Sequence, residues 1–363
     1  MRASYAWFTL ALAWLGISSG CVAVDRQAGF ADVAKEIRDR TGHEIRWIDG
    51  PEAESQIAEF IRTRLQEPLS LESATQIALL NNRGLQATLE ELGIACADLV
   101  QAGLLWNPSI FASARFPDQA PSGTNFEFTI VQDVLDVLLI PLRKELAEAK
   151  VEQTRRRVAD EALSLVTEVK RAYYVFVGAK QMAATLQVKT DAADAGSEFA
   201  QRLNDAGNIT DLDLAKEQAL RAEARLDLAR AGSEVMEARE RMNALLGLWG
   251  DDTRWNAVDE LPKLPSADPP LEHLEFVAIA QRMDLRASRR QVSIVERALA
   301  LTRAGLLTSV ELGVSTERDT GGQVVTGPTL QLDLPIFDQR QAQIARLESQ
   351  LRQARHRLSA LAV

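Results

Sequence analysis

The side chains able to do chemistry are few and scattered along this chain. His43, His273 and His356 lie far apart with no metal-ligand spacing. No glycine-rich loop precedes a helix to cradle phosphate, and no nucleophile stands in a motif that would activate it. Acid pairs such as Asp251-Asp252 read as solvated turns. We therefore expect no enzyme, no bound metal and no cofactor. Of the two cysteines, Cys96 lies in the helical run Leu92-Gly93-Ile94-Ala95-Cys96-Ala97, where a thiol acts as a small packing residue. Cys21 stands at the end of an apolar N-terminal stretch.

That stretch has the parts of an export signal. Arg2 gives the positive start, Tyr5 to Leu15 the apolar core and Ile17-Ser18-Ser19-Gly20 a small-residue cleavage zone, so residues 1–20 are expected to be removed. The apolar part is too short to span a bilayer. Small residues ending in a cysteine resemble the lipobox of bacterial lipoproteins, with Ser18 where Leu is usual. The resemblance implies that Cys21 is the acylated first residue of the mature chain. Val22 is not the Asp that retains lipoproteins in the inner membrane, which implies delivery to the outer membrane. The alternative is ordinary cleavage nearby, leaving Cys21 incidental. With Cys21 acylated, Cys96 is the sole remaining thiol and no intramolecular disulfide can form.

Composition narrows the partners. The net charge is −10, and no face concentrates Lys and Arg without interleaved acids, so no nucleic-acid footprint is present. Arg155-Arg156-Arg157 reads as a solvated helix face. The apolar residues are mostly Ala, Leu and Val, which suits long helices.

The elements that organise these residues occur twice. Shifted by 200 positions, Ala78, Leu85, Ala87, Ile94, Leu99 and Ser109 fall on Ala278, Leu285, Ala287, Ile294, Leu299 and Ser309. With the shift grown to 202, Ile130, Val134, Leu135 and Asp136 fall on Leu332, Ile336, Phe337 and Asp338. Each repeat reads helix, strand, turn, strand, helix. A leader occupies 21–68, the first repeat 69–260, a proline-rich joint 261–270 and the second repeat 271–363. In the first repeat the strands are expected at about 107–117 and 125–133, followed by a helical hairpin over 137–248. In the second they are expected at about 308–318 and 326–334, followed by a helix that stops without a returning partner. The apolar positions Ile344, Leu347, Leu351, Leu358 and Leu361 of that helix are expected to lack a cover and to fray beyond about Leu351.

The hairpin is the longest helical feature. Val158, Ala162, Leu165, Val169, Ala172, Phe176, Ala179, Ala183 and Leu186 recur at steps of four and three, free of proline from Arg143 to about Leu203. That is roughly 90 Å of helix at 1.5 Å per residue. Asn204 to Asn208 turns the chain, with Gly207 suited to the left-handed conformation that ends a helix. Thr210-Asp211-Leu212-Asp213 opens the return helix as a capping box with Asp in the Glu position. Its seam is expected along Leu212, Ala215, Ala219, Ala222, Leu226 and Ala229.

The strands alternate. Phe126, Phe128, Leu330 and Leu332 occupy one phase, whereas Glu127, Glu311, Gln331 and Asp333 occupy the other. Strands of about ten residues are long enough to cross a bilayer when tilted. Four strands cannot close a barrel, and open edges in hydrocarbon leave backbone groups unpaired, so the chain must associate.

The chain resembles the TolC-like outer-membrane efflux proteins, in their lipoprotein branch. The residues that carry the resemblance are Leu69-Ser70-Leu71-Glu72-Ser73-Ala74 leading to Asn81-Asn82, the Asn107-Pro108 strand start, Arg202 with Gly207 to Asp213, and Gly327 to Asp338. The implied fold is mainly α with a four-strand membrane β segment: two repeats, long helical hairpins forming a periplasmic α-barrel, and a trimeric twelve-stranded transmembrane β-barrel. The implied function is the exit duct of a tripartite efflux or secretion system in the cell outer membrane. Its partners would be two further copies of the chain, a periplasmic adaptor, an inner-membrane transporter and outer-membrane lipid. Glu127, Glu311, Gln331 and Asp333 would line the lumen, Phe126, Phe128, Leu330 and Leu332 would face lipid, and Arg202, Gly207, Thr210 and Asp213 would meet the adaptor. Two rivals stand beside this reading: a lipid-tethered periplasmic coiled-coil or adaptor protein, and a truncated, non-conducting remnant. Metal ions, organic toxicants and peptides all remain open as cargo.

Overall fold

The structure, a computed structural model, describes residues 25, 27–118, 123–264, 276, 282–304 and 310–362. The export signal, Cys21, most of the proline-rich joint and the start of the second repeat's first helix lie outside the described residues. The chain forms two units, one of residues 29–90 and 156–283, the other of residues 91–155 and 284–363 with the stretch up to Ala28. Among the described residues no helix is long and apolar enough to cross a membrane.

The first unit is helical. Its elements are α1 (Phe30–Thr41), α2 (Pro51–Arg64), α3 (Leu71–Asn81), the start of α4 (Arg83–Gly103), most of α5 (Leu135–Asp205) and α6 (Asp211–Leu246). Ser70 caps α3 by accepting the Ser73 amide at 3.1 Å. The break between α3 and α4 has a long-range purpose. Asn81 Nδ2 donates to the carbonyls of Leu246 (2.9 Å) and Gly247 (2.8 Å), and Asn82 Nδ2 to that of Leu245 (2.9 Å). These satisfy the last carbonyls of α6, which have no partner within their own helix. Only glycine fits at position 247: its φ is +66°, and an added Cβ would lie 2.7 Å from the Asn81 carbonyl.

The core of this unit gathers around Trp255. Its ring meets Phe176 edge-on at 5.0 Å and its Nε1 donates to Asn243 Oδ1 at 2.8 Å. The Arg239 guanidinium lies 5.0 Å from the Trp255 ring and 5.7 Å from Phe176, while donating to the Trp255 carbonyl at 2.9 Å. Tyr173 donates to the Leu69 carbonyl at 2.9 Å, and burial pushes its phenol pKa up, which keeps that donor in place.

α5 has 71 residues and starts before Pro141, earlier than the proline-free run begins. The missing proline N–H removes one i→i−4 hydrogen bond near the helix start. Its seam buries Val158, Ala162, Val169 and Phe176 completely. The seam of α6 is a correction. Ala224, Ala231, Ala238, Met242 and Leu246 are buried, whereas Leu212 (66 %), Leu226 (50 %) and Met236 (63 %) are exposed. The heptad read through Leu212, Ala215, Ala219, Ala222, Leu226 and Ala229 is therefore a second stripe, turned away from α5. Both stripes repeat every seven residues, and polar latches select between them. Asp194 binds Arg221 (2.6 Å) and Arg225 (3.0 Å), Lys189 binds Asp227 (2.9 Å), and Thr190 Oγ1 donates to the Ala224 carbonyl (3.1 Å).

The second unit holds the sheet: β1 (Ser109–Arg115), β2 (Asn125–Asp133), β3 (Val310–Arg318) and β4 (Val324–Leu332), all antiparallel in the order β1-β2-β3-β4. Pro108 and Pro117 bound β1, since proline cannot extend the ladder. β4 ends at Leu332, opposite Val310, the first described residue of β3. Asp333, expected within the strand, lies just past it. Helices α7 (Met283–Ala304) and α8 (Gln341–Ala362) run antiparallel, joined by Arg303–Glu348 (2.6 Å) and Arg355–Glu296 (2.7 Å). α8 continues to Ala362, buries Ala354 and half-buries Leu351, Leu358 and Leu361, so the positions expected to lack a cover are partly covered.

Candidate functional site

Two places carry the candidate functional residues, one in each unit. In the sheet, the register sorts side chains by face. Ile110 is opposite Ile130, Ile130 opposite Val314 and Val314 opposite Pro328. Directly opposed residues share a face, so Phe126, Phe128, Leu330 and Leu332 all stand on one side with Ile110, Ala112 and Leu312. Glu127, Glu311 and Gln331 stand on the other, with Ser113, Asn125, Thr129, Ser315 and Glu317. Asp133, at the end of β2, shares this polar face and is opposite Glu311. Asp333 is outside the ladder.

The polar face is cross-linked by hydrogen bonds. Arg115 pairs with Glu127 (3.1 Å), Asn125 Nδ2 donates to Glu317 Oε1 (2.6 Å), and Thr129 Oγ1 donates to Ser315 Oγ (2.9 Å). Glu127 is directly opposite Glu317, a like-charge juxtaposition that costs stability unless water or a cation screens it. The apolar face carries one hydroxyl pair, Thr316 with Thr326, and is otherwise open: Ile110 (62 %), Leu330 (59 %) and Leu332 (47 %) are exposed in the single chain. Glu317 and Asp133 are polar-face acids that sequence reasoning missed, although each keeps the same two-residue phase as an acid already singled out. Gly313 stands where β2 and β3 approach so closely that a Cβ would collide with the Ile130 carbonyl.

In the other unit, Arg202, Gly207, Thr210 and Asp213 come together at the tip of the α5–α6 hairpin. Gly207 adopts φ +78°, its amide donates to Asn204 O (2.8 Å) and the Asn208 amide to Leu203 O (2.8 Å). These two bonds form the Schellman pattern that ends α5. The Asp213 amide donates to Thr210 Oγ1 at 3.2 Å and opens α6. The Thr210 hydroxyl (2.7 Å) and Lys216 Nζ (3.1 Å) donate to the Asp213 carboxylate, and these bonds hold its pKa below the ordinary value. Arg202 is exposed and pairs with Glu198 one turn back at 2.5 Å. Gly207, Thr210 and Asp213 are thus occupied in shaping the tip.

A pH dependence follows. Because the folded pKa of Asp213 is depressed, its contribution is complete above the unfolded carboxylate value of about 3.9 and is lost as pH falls through the lower folded value. Amide protection over Asp211–Lys216, corrected for the intrinsic pH dependence of exchange, is expected to fall below about pH 4 in the wild type and to be low at every pH in Asp213→Ala. An Asp213→Ala tip as protected as the wild type at neutral pH would show that the cap does not hold the turn.

Cys96 is buried, and its Sγ lies 3.3 Å from the Ala28 carbonyl; burial raises the pKa of its thiol. It acts as a packing residue and has no part in either place. Among the described residues no group of His, Cys, Asp and Glu could hold a metal ion.

Comparison with known proteins adds four observations. The profile of the outer membrane efflux protein family matches residues 74–248. The cobalt-zinc-cadmium resistance protein CzcC of Cupriavidus metallidurans is 25% identical over 300 residues, which cover 79% of this chain and 67% of that protein. The Campylobacter jejuni CmeC outer membrane channel superposes with a TM-score of 0.68 at 16% identity, covering 80% of this chain and 67% of that one. A membrane protein from Pseudomonas aeruginosa does so at 0.63 and 20% identity, over 80% and 71%. Channels of this kind are homotrimers that reach into the periplasm and work with adaptor and inner-membrane pump proteins. With the duplicated repeat and the two-faced sheet, these matches make the chain similar to the outer membrane efflux protein family over residues 74–248 and give it the fold of the outer-membrane channels.

Proposed function

We propose that this chain is the exit duct of a tripartite efflux system: three copies close one twelve-stranded barrel in the outer membrane and pass cargo from the periplasm to the exterior. The observation that carries the reading is the sheet itself, apolar on one face, acid-bearing on the other and open at both edges. In water the apolar face would be a liability; against lipid it is required. The second, exposed heptad stripe on α6 supports association as well, since its leucines stand uncovered among the described residues. In this reading Phe126, Phe128, Leu330 and Leu332 face lipid, and Glu127, Glu311 and Gln331 face the lumen. Asp333 then sits at the lumen's rim. The hairpin tip, with Arg202 as its exposed cation, is the surface offered to the adaptor. Acids along the polar face favour positively charged cargo. Together with the metal-resistance name of the relative from Cupriavidus, this leads us to infer divalent metal cations.

The test is fractionation of cells expressing the full chain. Trimers in the outer-membrane fraction on a native gel support the duct, and membrane-bound monomers would return the tethered coiled-coil rival. The anchor is tested separately. Wild-type protein is expected to incorporate labelled palmitate and Cys21→Ala to incorporate none. Undiminished labelling of the variant would remove Cys21 from the account.

A further inference from the structure

The sheet leaves two backbone edges unpaired, and its hydrogen-bond phase shows which residues they carry. The Val134 amide donates to Val310 O at 2.9 Å, and the Asp319 amide to Gln323 O at 2.9 Å. In an antiparallel ladder, opposed residues alternate between exchanging both bonds and exchanging neither. Even-numbered residues of β2 and β3 therefore bond each other. Odd-numbered residues bond β3 to β4 and β1 to β2. What remains outward is Ile110, Ala112 and Ala114 on β1, and Val324, Thr326, Pro328, Leu330 and Leu332 on β4. Every one of these has its side chain on the apolar face. Pro328, which has no N–H, directs that gap to the free edge, where a proline is tolerated.

We propose that β1 of one copy pairs antiparallel with β4 of the next, with Ile110 opposite Leu332, Ala112 opposite Leu330 and Ala114 opposite Pro328. The proposal rests on the trimeric barrel proposed above and names the residues of each subunit seam. Pairing like edges, β1 on β1, would leave both β4 edges without partners in hydrocarbon and could not close a ring. The phase is fixed because both outward sets share the apolar face; a slip of one residue would turn that face inward along a whole strand.

The stagger is fixed by closure. Twelve strands tilted by about 35–45°, spaced about 4.8 Å apart and rising about 3.3 Å per residue, climb ~12–17 residues around the ring, or ~4–6 per subunit. Crossing this sheet at right angles leads from Ile110 through Ile130 and Val314 to Pro328. A climb of about four residues from Pro328 reaches Leu332 in one direction and Val324 in the other. Toward Val324, Ala112 and Ala114 would face the β3–β4 turn. Toward Leu332, all three outward residues of β1 face residues within β4. The right-handed twist of strands, with the apolar face outward, demands the same direction. A climb of about six would carry Ile110 past Leu332, the last residue of β4. The chosen register also puts the proline gap at the outer end of the seam.

On the polar face, the same register sets Ser113 beside Thr329 as a close non-hydrogen-bonded pair, within disulfide reach and open to water. The full chain carrying Cys96→Ser, Ser113→Cys and Thr329→Cys is oxidised in outer membranes with copper phenanthroline and run on a non-reducing SDS gel. Two control pairs, Ser113→Cys with Gly327→Cys and Ser113→Cys with Gln331→Cys, sample the neighbouring registers. A native gel without oxidant scores trimers independently. Covalent dimers and trimers are expected from the Ser113–Thr329 pair at about tenfold or more the yield of either control. A higher yield from a control overturns the register and leaves the ring. Trimers on the native gel with no cross-link from any pair overturn the β1–β4 seam. Absence of trimers overturns the barrel on which the seam rests.

Discussion

Phe128→Arg is expected to abolish most barrel assembly, while Gln331→Arg leaves it near the wild-type level. Phe128 lies mid-strand on the apolar face, opposite Ala112 and Thr316. An arginine facing lipid at the bilayer midplane costs about 2 to 4 kcal/mol, and one in a wet lumen costs little. A trimer repeats the change three times, so the loss is multiplied in the assembled ring. Gln331 is on β4 opposite Glu311, where an added cation meets an acid. The measurement is the trimer yield of each variant in outer membranes by native electrophoresis. Equal yields would mean that the two faces do not differ in solvent, and the membrane assignment of the sheet would fall.

Trp255→Ala is expected to be the most destabilising substitution in the helical unit, by about 3 to 5 kcal/mol. The indole is 1 % exposed, meets Phe176 edge-on and lies under the Arg239 guanidinium. Its loss leaves a cavity and also strips Asn243 Oδ1 of its donor. Trp255→Phe keeps much of the packing but not that bond, so its cost is expected at about 1 to 3 kcal/mol, the desolvation of an unpaired buried acceptor. Chemical denaturation followed by circular dichroism reads both. Trp255→Phe as damaging as Trp255→Ala would show that the Asn243 bond dominates over ring packing.

Much of this fold is legible in local sequence pattern because local physics decides it. The two-residue alternation of Phe126, Phe128 and Ile130 fixes a face once a strand is paired. Gly207 and the Thr210–Asp213 spacing shape the tip within a few residues of chain. Elsewhere the deciding partner is distant in sequence. The heptad through Leu212 and Leu226 looks like the better seam because leucine is more apolar than alanine. The hairpin instead buries Ala224, Ala231 and Ala238, since small residues allow close approach and Asp194 fastens Arg221 and Arg225 beside them. Asn81 and Asn82 look like a helix break, and they are one; their caps on α6 join residues more than 160 positions apart and leave no local trace. Glu317 was within reach of pattern reading, because it shares the phase of Glu311.

The central claim is that this chain forms a water-filled pore through the outer membrane. Purified, detergent-extracted protein added to a planar lipid bilayer tests it most directly. The account predicts discrete conductance steps, selective for cations, with selectivity reduced when Glu127, Glu311 and Glu317 are replaced by Gln. Trimers that insert into the bilayer and carry no current would contradict it.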